Sequence, residues 1–209
     1  MNYCETMPNT VKSKIQKKVQ TIIELQSEIR KWKDKSEEGV SALIHRFEKT
    51  PRDEVSIYFI PYFTDDTFSK ILIQIANTYK DNRKLQINVI SALGNMISRY
   101  KLEETQEIYD YFKANMFKKG ISAFVAIHLP YLKGFIAEEK PWDYFMSIHK
   151  MAPKKIAEEQ FVAVIREHIL EIPNDYRDDV ISFLKQKKQA ANNEGGKKYY
   201  QELIDKIEN

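Results

Sequence analysis

Cysteine is almost absent from this chain, which contains Cys4 and no other thiol. A single cysteine cannot form an intramolecular disulfide, so a disulfide-stabilised secreted fold is excluded and a reducing compartment is expected. Glycine and proline are also scarce, with 6 and 7 residues respectively in a chain of 209. These are too few turn-forming residues for a β-sandwich or barrel of many short strands. The scarcity of glycine and proline favours helices.

Long apolar runs are missing as well. No stretch of about 18 apolar residues occurs, so the sequence predicts no transmembrane segment. The first 20 residues, MNYCETMPNTVKSKIQKKVQ, contain no apolar core of signal-peptide length. We therefore expect a cytoplasmic protein.

Signatures of catalysis and metal binding are absent from the sequence too. It contains no HExxH, no Cys/His spacing typical of zinc sites, no glycine-rich phosphate loop and no GxSxG. Adjacent carboxylates on a helix point in different directions, so paired acids are explained better as solvated helix starts than as a general acid and base. We expect a non-catalytic protein with no cofactor and no metal. Its four histidines are isolated from one another at His45, His128, His149 and His168.

What the chain does contain is the pattern of an all-α protein. Hydrophobic residues make up 43% and charged residues 30%, a globular balance rich in good helix formers. Pro51 is expected to break the chain after residue 49 and to begin the next helix. Pro61 and the helical neighbourhood argue against a strand at 52–63. Apolar periodicity predicts helices at 10–33, 36–49, 65–79, 82–100, 103–117, 120–137, 141–151, 154–171, 175–189 and 195–208.

Residues 81–100, DNRKLQINVISALGNMISRY, carry the clearest helical pattern. Their apolar positions follow the spacing of one helix face, and two further isoleucines widen that face, which predicts packing on more than one side. Asp81 or Asn82 is expected to cap the start. The Asp start and the periodic run ending Ala92-Leu93-Gly94 resemble the second helix of a HEAT repeat. Leu85-Gln86 stands where that motif usually has Val-Arg.

Charged pairs recur along the chain at intervals close to the length of a HEAT-like helix pair. Acidic pairs stand at Asp65-Asp66, Glu103-Glu104, Glu138-Glu139 and Asp178-Asp179. Basic pairs stand at Arg83-Lys84, Lys118-Lys119, Lys154-Lys155 and Lys197-Lys198. If consecutive helices are antiparallel, the acidic pairs lie along one edge of the stack and the basic pairs along the other.

The resemblance and the spacing together predict a right-handed α-α superhelix, a HEAT/ARM-like solenoid of about four to five helix pairs. We expect one helical-repeat domain over residues 1–209. Within it, residues 10–50 form N-terminal capping helices, 51–171 the central pairs and 172–209 a C-terminal capping pair. The net charge is +3 for the whole chain, but the ends are basic and the middle is slightly acidic.

Two functions follow from this architecture. The first is a protein–protein interaction scaffold, or a small regulatory or toxin-neutralising binding protein, that uses a helical groove. Tyrosine is favoured at such surfaces because it combines an apolar ring with a polar tip. A protein is therefore the expected partner. The tyrosines assigned to the groove are Tyr58, Tyr62, Tyr131, Tyr144, Tyr199 and Tyr200.

The second function is nucleic-acid binding. In size and helical make-up the chain is similar to the HEAT-like DNA-alkylation-repair glycosylases, and that resemblance implies a basic concave surface that grips phosphates. No pocket residue of that family aligns with this sequence, so none is assigned. Phosphate binding requires a stripe of cations, because most of the affinity comes from counterion release. The candidate stripe is Arg83, Lys84, Arg99, Lys118, Lys119, Lys133, Lys154, Lys155 and Arg166.

Overall fold

A computed structural model describes residues 13–137 and 140–209 of the chain, and over these residues the prediction of an all-α protein is confirmed. About 80% of the residues are helical, and the described residues contain no strand. The helices are α1 (Ser13–Arg30), α2 (Glu37–Asp53), α3 (Ile60–Phe63), α4 (Asp66–Thr78), α5 (Arg83–Tyr100), α6 (Gln106–Asn115), α7 (Ser122–His128), α8 (Lys133–Ile136), α9 (Pro141–Ile148), α10 (Lys154–Glu167), α11 (Asn174–Ala190) and α12 (Glu194–Glu208).

Two of the predicted helices differ from the observed ones at a proline residue. α2 continues through Pro51 to Asp53, so Pro51 does not begin the next helix. Proline removes one backbone hydrogen bond, a small loss in the last turn of a helix. The predicted helix at 120–137 is instead divided, because a 3₁₀ turn at Leu129–Tyr131 contains Pro130. Residues 10–12, the predicted start of the first helix, lie outside the described residues.

The chain divides into two compact units between Ala114 and Asn115. In the first unit, α2 packs against α1 and α5, and α4 packs against α5. Phe47 of α2 lies at the centre of its core, fully buried, with ring centroids 5.0 Å from Phe68 and 5.6 Å from Phe63. Edge-to-face aromatic contacts of this kind add to the stabilisation that apolar burial provides.

A buried polar link joins α4, α5 and α6 in the same unit. Gln86 donates from Nε2 to the carbonyl of Ala76 at 2.6 Å and to that of Tyr79 at 3.2 Å. These carbonyls lie at the C-terminal end of α4, where the helix itself provides no hydrogen-bond donors. Tyr111 donates its hydroxyl to Gln86 Oε1 at 2.9 Å. Gln86 therefore has a structural role, because it joins the three helices.

In the second unit, α10 packs against α7 and α9, and α11 packs against α9 and α12. Phe161 of α10 is fully buried and contacts Phe183 of α11 edge-to-face, with ring centroids 4.8 Å apart. Phe135 and Phe145 form a second aromatic contact at 5.8 Å. These side chains hold the elements that present the surface described below.

The acidic pairs occupy different positions relative to the helices. Asp65 caps α4 by accepting a hydrogen bond from the Phe68 amide at 3.1 Å, as expected for a helix start. Glu103 and Glu104 lie just before α6, whereas Asp178 and Asp179 lie inside α11. The pair at 138–139 lies outside the described residues.

Candidate interaction surface

The three predicted cations of the first unit are all exposed, and all belong to α5. Arg83 and Lys84 occupy its first turn, and Arg99 occupies its last. At 1.5 Å per residue, the two ends are separated by about 24 Å along the helix axis. Arg99 complements the helix dipole, while Arg83 and Lys84 oppose it. These three cations therefore lie at the two ends of α5.

The six predicted cations of the second unit are also exposed but belong to different elements. Lys154 and Lys155 lie in the first turn of α10, and Arg166 lies in its last turn. Two of these cations face carboxylates, since Lys154 is 3.7 Å from Glu158 and Arg166 is 3.2 Å from Glu167. Nearby negative charge weakens attraction to a phosphate backbone. The other three predicted cations are placed as follows: Lys118 and Lys119 precede α7, and Lys133 begins α8.

Tyr131 is the residue around which a different kind of surface is built. It ends the 3₁₀ turn that follows α7, and its side chain is 40% exposed. Partial burial, with a smaller contribution from the Glu167 carboxylate beside it, raises the pKa of Tyr131 to about 12. The phenol is therefore neutral at physiological pH and retains its O–H as a hydrogen-bond donor.

Arg166 connects this region to α12. Its Nη2 atom is 3.2 Å from Glu167 Oε1, and this contact raises the pKa of the guanidinium. The hydroxyl of Tyr199, from α12, lies beside the same guanidinium. Tyr199 in turn contacts Tyr200, with ring centroids 5.3 Å apart. An arginine fork and a tyrosine are thus presented together by two helices.

Leu170 is the most exposed apolar side chain of this region, with 87% of its surface accessible. It belongs to the 3₁₀ turn Ile169–Glu171, which follows α10 and packs against α12. His168 and Glu171 hold the turn through a contact of 2.8 Å between Nδ1 and Oε2. We call Tyr131, Arg166, Leu170 and Tyr199 the Tyr–Arg surface.

The structure separates the tyrosines that the sequence grouped together. Tyr144 is a correction to that group, because it is buried in α9 and packs between the rings of Phe117 and Phe135 at 5.8 and 5.3 Å. Leu170 was missed because residues 154–171 were predicted as one continuous helix. The closely following Pro173 was the available signal that this helix ends early. Tyr58 and Tyr62 in the first unit, and Tyr199 and Tyr200 in the second, are half-buried.

Three aliphatic side chains in the first unit are also exposed. Val55 is 70% accessible, Ile57 is 73% accessible and Ile60 is 42% accessible. Val55 and Ile57 lie in the connection between α2 and α3, and Ile60 is the first residue of α3. These side chains belong to the first unit, so they provide an exposed apolar comparison for Leu170.

Metal-ligand clusters, membrane-spanning helices and similarity to known proteins can each indicate the function of a chain. Over residues 13–137 and 140–209, no three His, Cys, Asp or Glu side chains cluster in a way that would hold a metal ion. No helix in that part of the chain combines the length and apolar character needed to cross a bilayer. No protein family matches the chain, and neither a curated protein nor a solved structure is significantly similar to it.

Proposed function

We propose that this protein is a non-catalytic protein–protein interaction module whose contact site is the Tyr–Arg surface. The observation that carries the proposal is the exposure of Leu170, which lies in the 3₁₀ turn that directly follows the last turn of α10, where Arg166 is exposed. Tyrosine and arginine are enriched at the centres of protein interfaces. A leucine buried there by a partner contributes about 1.5–3 kcal/mol.

Charge favours a protein partner over a nucleic acid at this site. Arg166 is accompanied by Glu167 and by Glu171, both exposed. Carboxylates at this density repel a phosphate backbone, whereas a mixed-charge rim is ordinary in protein interfaces. The Tyr131 hydroxyl is hydrogen-bonded to Glu167, so this residue offers a partner its partly exposed ring.

The architecture we propose is a HEAT-like helical repeat located in the cytoplasm. In support, helices that are neighbours in sequence pack against each other in four cases: α1 with α2, α4 with α5, α9 with α10, and α11 with α12. Such pairs are the building unit of α-solenoids. The cytoplasmic location is inferred from the single cysteine.

The test uses the full chain with a photo-crosslinking amino acid at position 170, exposed to an extract of the source cells. We expect a single major crosslinked protein. The matched control carries the same amino acid at position 57, because Ile57 is also exposed but lies in the first unit. The same product from both positions, or none from position 170, contradicts the proposal.

Purified partner then allows calorimetry with single variants. Leu170→Ala and Arg166→Ala should each weaken binding at least tenfold, which corresponds to about 1.4 kcal/mol. Ile57→Ala should leave the affinity unchanged. The nucleic-acid alternative is tested in parallel with duplex and single-stranded DNA at low salt. Salt-dependent DNA binding that is lost in a Lys118→Glu/Lys119→Glu/Lys154→Glu variant, without any crosslinked protein, would replace this proposal.

A further inference from the structure

A second site lies in the second unit, in a cleft beside α11. One side of the cleft is formed by Met146, His149 and Lys150, at the end of α9 and just after it. The other side is one face of α11, because its lining residues follow the spacing i, i+3, i+4 and i+7. The cleft is open to solvent and has a volume of about 230 Å³. The four residues from α11 are Asp179, Ser182, Phe183 and Gln186.

The polar side chains of this cleft lack partners among the described residues. Lys150 and Asp179 have opposite charges, yet no ion pair joins them or links either to another described residue. Ser182 and Gln186 likewise make no side-chain hydrogen bond within the described part of the chain. Elsewhere in this unit such groups do pair, since Lys187 donates to Glu158 at 3.0 Å. The cleft is thus lined by a cation, an anion, a hydroxyl and an amide group whose side chains pair with no other described residue.

His149 forms the inner part of the cleft. Its imidazole stacks on Phe161 at 5.0 Å and lies 5.2 Å from Phe183. Its Nδ1 atom is buried with no partner in the described structure. Burial between the aromatic rings lowers the pKa of His149, so the ring is neutral at physiological pH. Among the residues that line the cleft, the charged side chains are therefore those of Lys150 and Asp179.

We propose that this cleft binds a small zwitterion, a free α-amino acid, with its carboxylate at Lys150 and its ammonium group at Asp179. Charge-assisted hydrogen bonds of this kind are about twice as strong as neutral ones. Ser182 and Gln186 orient the ligand, and Met146 and Phe183 contact its side chain. The cleft is smaller than the roughly 300–1,000 Å³ pockets of drug-sized ligands, so it restricts the ligand to a small one.

The amino-acid class follows from the lining. The two contacts available to the ligand side chain are a thioether and a phenyl ring, both apolar, so apolar amino acids are preferred over acidic or basic ones. A ligand with only one charge leaves either Lys150 or Asp179 unpaired. The cleft therefore discriminates by the presence of both charges. None of its residues belongs to the Tyr–Arg surface, so this site does not depend on the proposed function.

The test is a nuclear magnetic resonance titration of the full-length protein with L-leucine and L-methionine. We expect saturable shifts of the amide signals of Lys150 and Phe183 at millimolar ligand or below. N-acetyl-L-methionine lacks the ammonium group and L-methionine amide lacks the carboxylate. Each should bind at least tenfold more weakly than L-methionine. Equal binding of all three compounds overturns the zwitterion assignment, and so does the absence of saturable shifts.

Variants locate the site. Lys150→Met and Asp179→Asn should each weaken L-methionine binding at least tenfold, and both positions are exposed, so the fold is retained. Asp178→Asn and Lys185→Met are matched controls, because both residues are exposed on α11 but neither lines the cleft. The controls should bind as the wild-type protein does. Binding that survives Lys150→Met and Asp179→Asn contradicts the proposal even if L-methionine binds elsewhere.

Discussion

Ser91 of α5 donates a hydrogen bond from its hydroxyl to Glu48 Oε2 of α2 at 3.1 Å. The Glu48 side chain is only 2% exposed, and Arg52 donates to its other oxygen at 2.8 Å. Burial nevertheless raises the pKa of Glu48, because the loss of hydration outweighs the attraction of Arg52 and the hydrogen bond from Ser91. A carboxyl group with a raised pKa therefore lies between two packed helices of the first unit.

The first prediction concerns the pH dependence that this group produces. Since the pKa of Glu48 is higher in the folded state than its usual value of 4.5, the folded state binds the proton more tightly. The contribution of Glu48 to the free energy of unfolding therefore falls as the pH rises above 4.5. We expect the stability difference between wild type and Glu48→Gln to shrink between about pH 4 and pH 7. Urea unfolding followed by circular dichroism measures it.

Glu28→Gln is the control variant, and its stability difference from wild type should change with pH in the opposite direction. Lys35 and Lys31 lower the pKa of the half-exposed Glu28 carboxyl, so its contribution is present above the unfolded pKa and is lost as the pH falls. The difference between wild type and Glu28→Gln should therefore grow with pH. A stability difference between wild type and Glu48→Gln that instead grows with pH would mean that the partners of Glu48 stabilise its ionised form by more than burial destabilises it. In that case the prediction is wrong.

A second prediction concerns the aromatic core of the first unit. Phe47 is fully buried against Phe63 and Phe68, so Phe47→Ala removes a large apolar side chain and leaves a cavity. We expect the free energy of unfolding to fall by about 3–5 kcal/mol. Lys49→Ala, two residues away on the exposed side of α2, should change it by less than about 0.5 kcal/mol. A small loss for Phe47→Ala would mean that the site collapses or is not closely packed.

A third prediction tests the start of α5. Asn82 accepts a hydrogen bond from the Leu85 amide at 3.0 Å and donates to Glu37 at 2.7 Å. Asn82→Ala should lower the free energy of unfolding by about 1 kcal/mol, the usual value of an N-cap. The sequence allowed Asp81 as an alternative cap, so Asp81→Ala is the matched control and should cost less than about 0.5 kcal/mol. The reverse order of the two losses would make Asp81 the cap.

A fourth prediction concerns the end of the same helix. Lys101 caps α5 with φ at 66°, in the left-handed region that side chains disfavour. Lys101→Gly removes the steric conflict of the β-carbon and should raise the free energy of unfolding by up to about 1 kcal/mol. Lys101→Ala retains a β-carbon and should give no gain. Thermal and urea unfolding of the three proteins would distinguish these outcomes, and equal stability of the glycine and alanine variants would refute the argument.

The positions of the helices were largely predictable because the signals that set them are local. The pattern at 82–100 predicted a helix that the structure places at Arg83–Tyr100, since apolar spacing and a capping residue act within a few turns. The same holds for α11 and α12, whose predicted bounds differ from the observed ones by one residue at each end or less. The division of 120–137 was not predicted, although Pro130 was visible in the sequence.

The candidate surfaces were not predictable in the same way. Tyr131 and Tyr144 have the same side chain, yet Tyr131 is 40% exposed and Tyr144 is 5% exposed. Exposure depends on which neighbouring element covers a residue, and that element can lie far away in the sequence. The cleft beside α11 was not predictable for the same reason, because helix packing brings Lys150 and Asp179 to one cleft.

The sequence by itself determined that the chain is helical and where most of its helices begin and end, because periodicity and capping are properties of short segments. Tertiary structure decided the rest. Packing buried Glu48 and Tyr144, and it left Leu170 and Tyr131 accessible in a region that also contains Arg166. Periodicity shows which face of a helix is apolar, but only the assembled unit shows which residues remain uncovered for a partner.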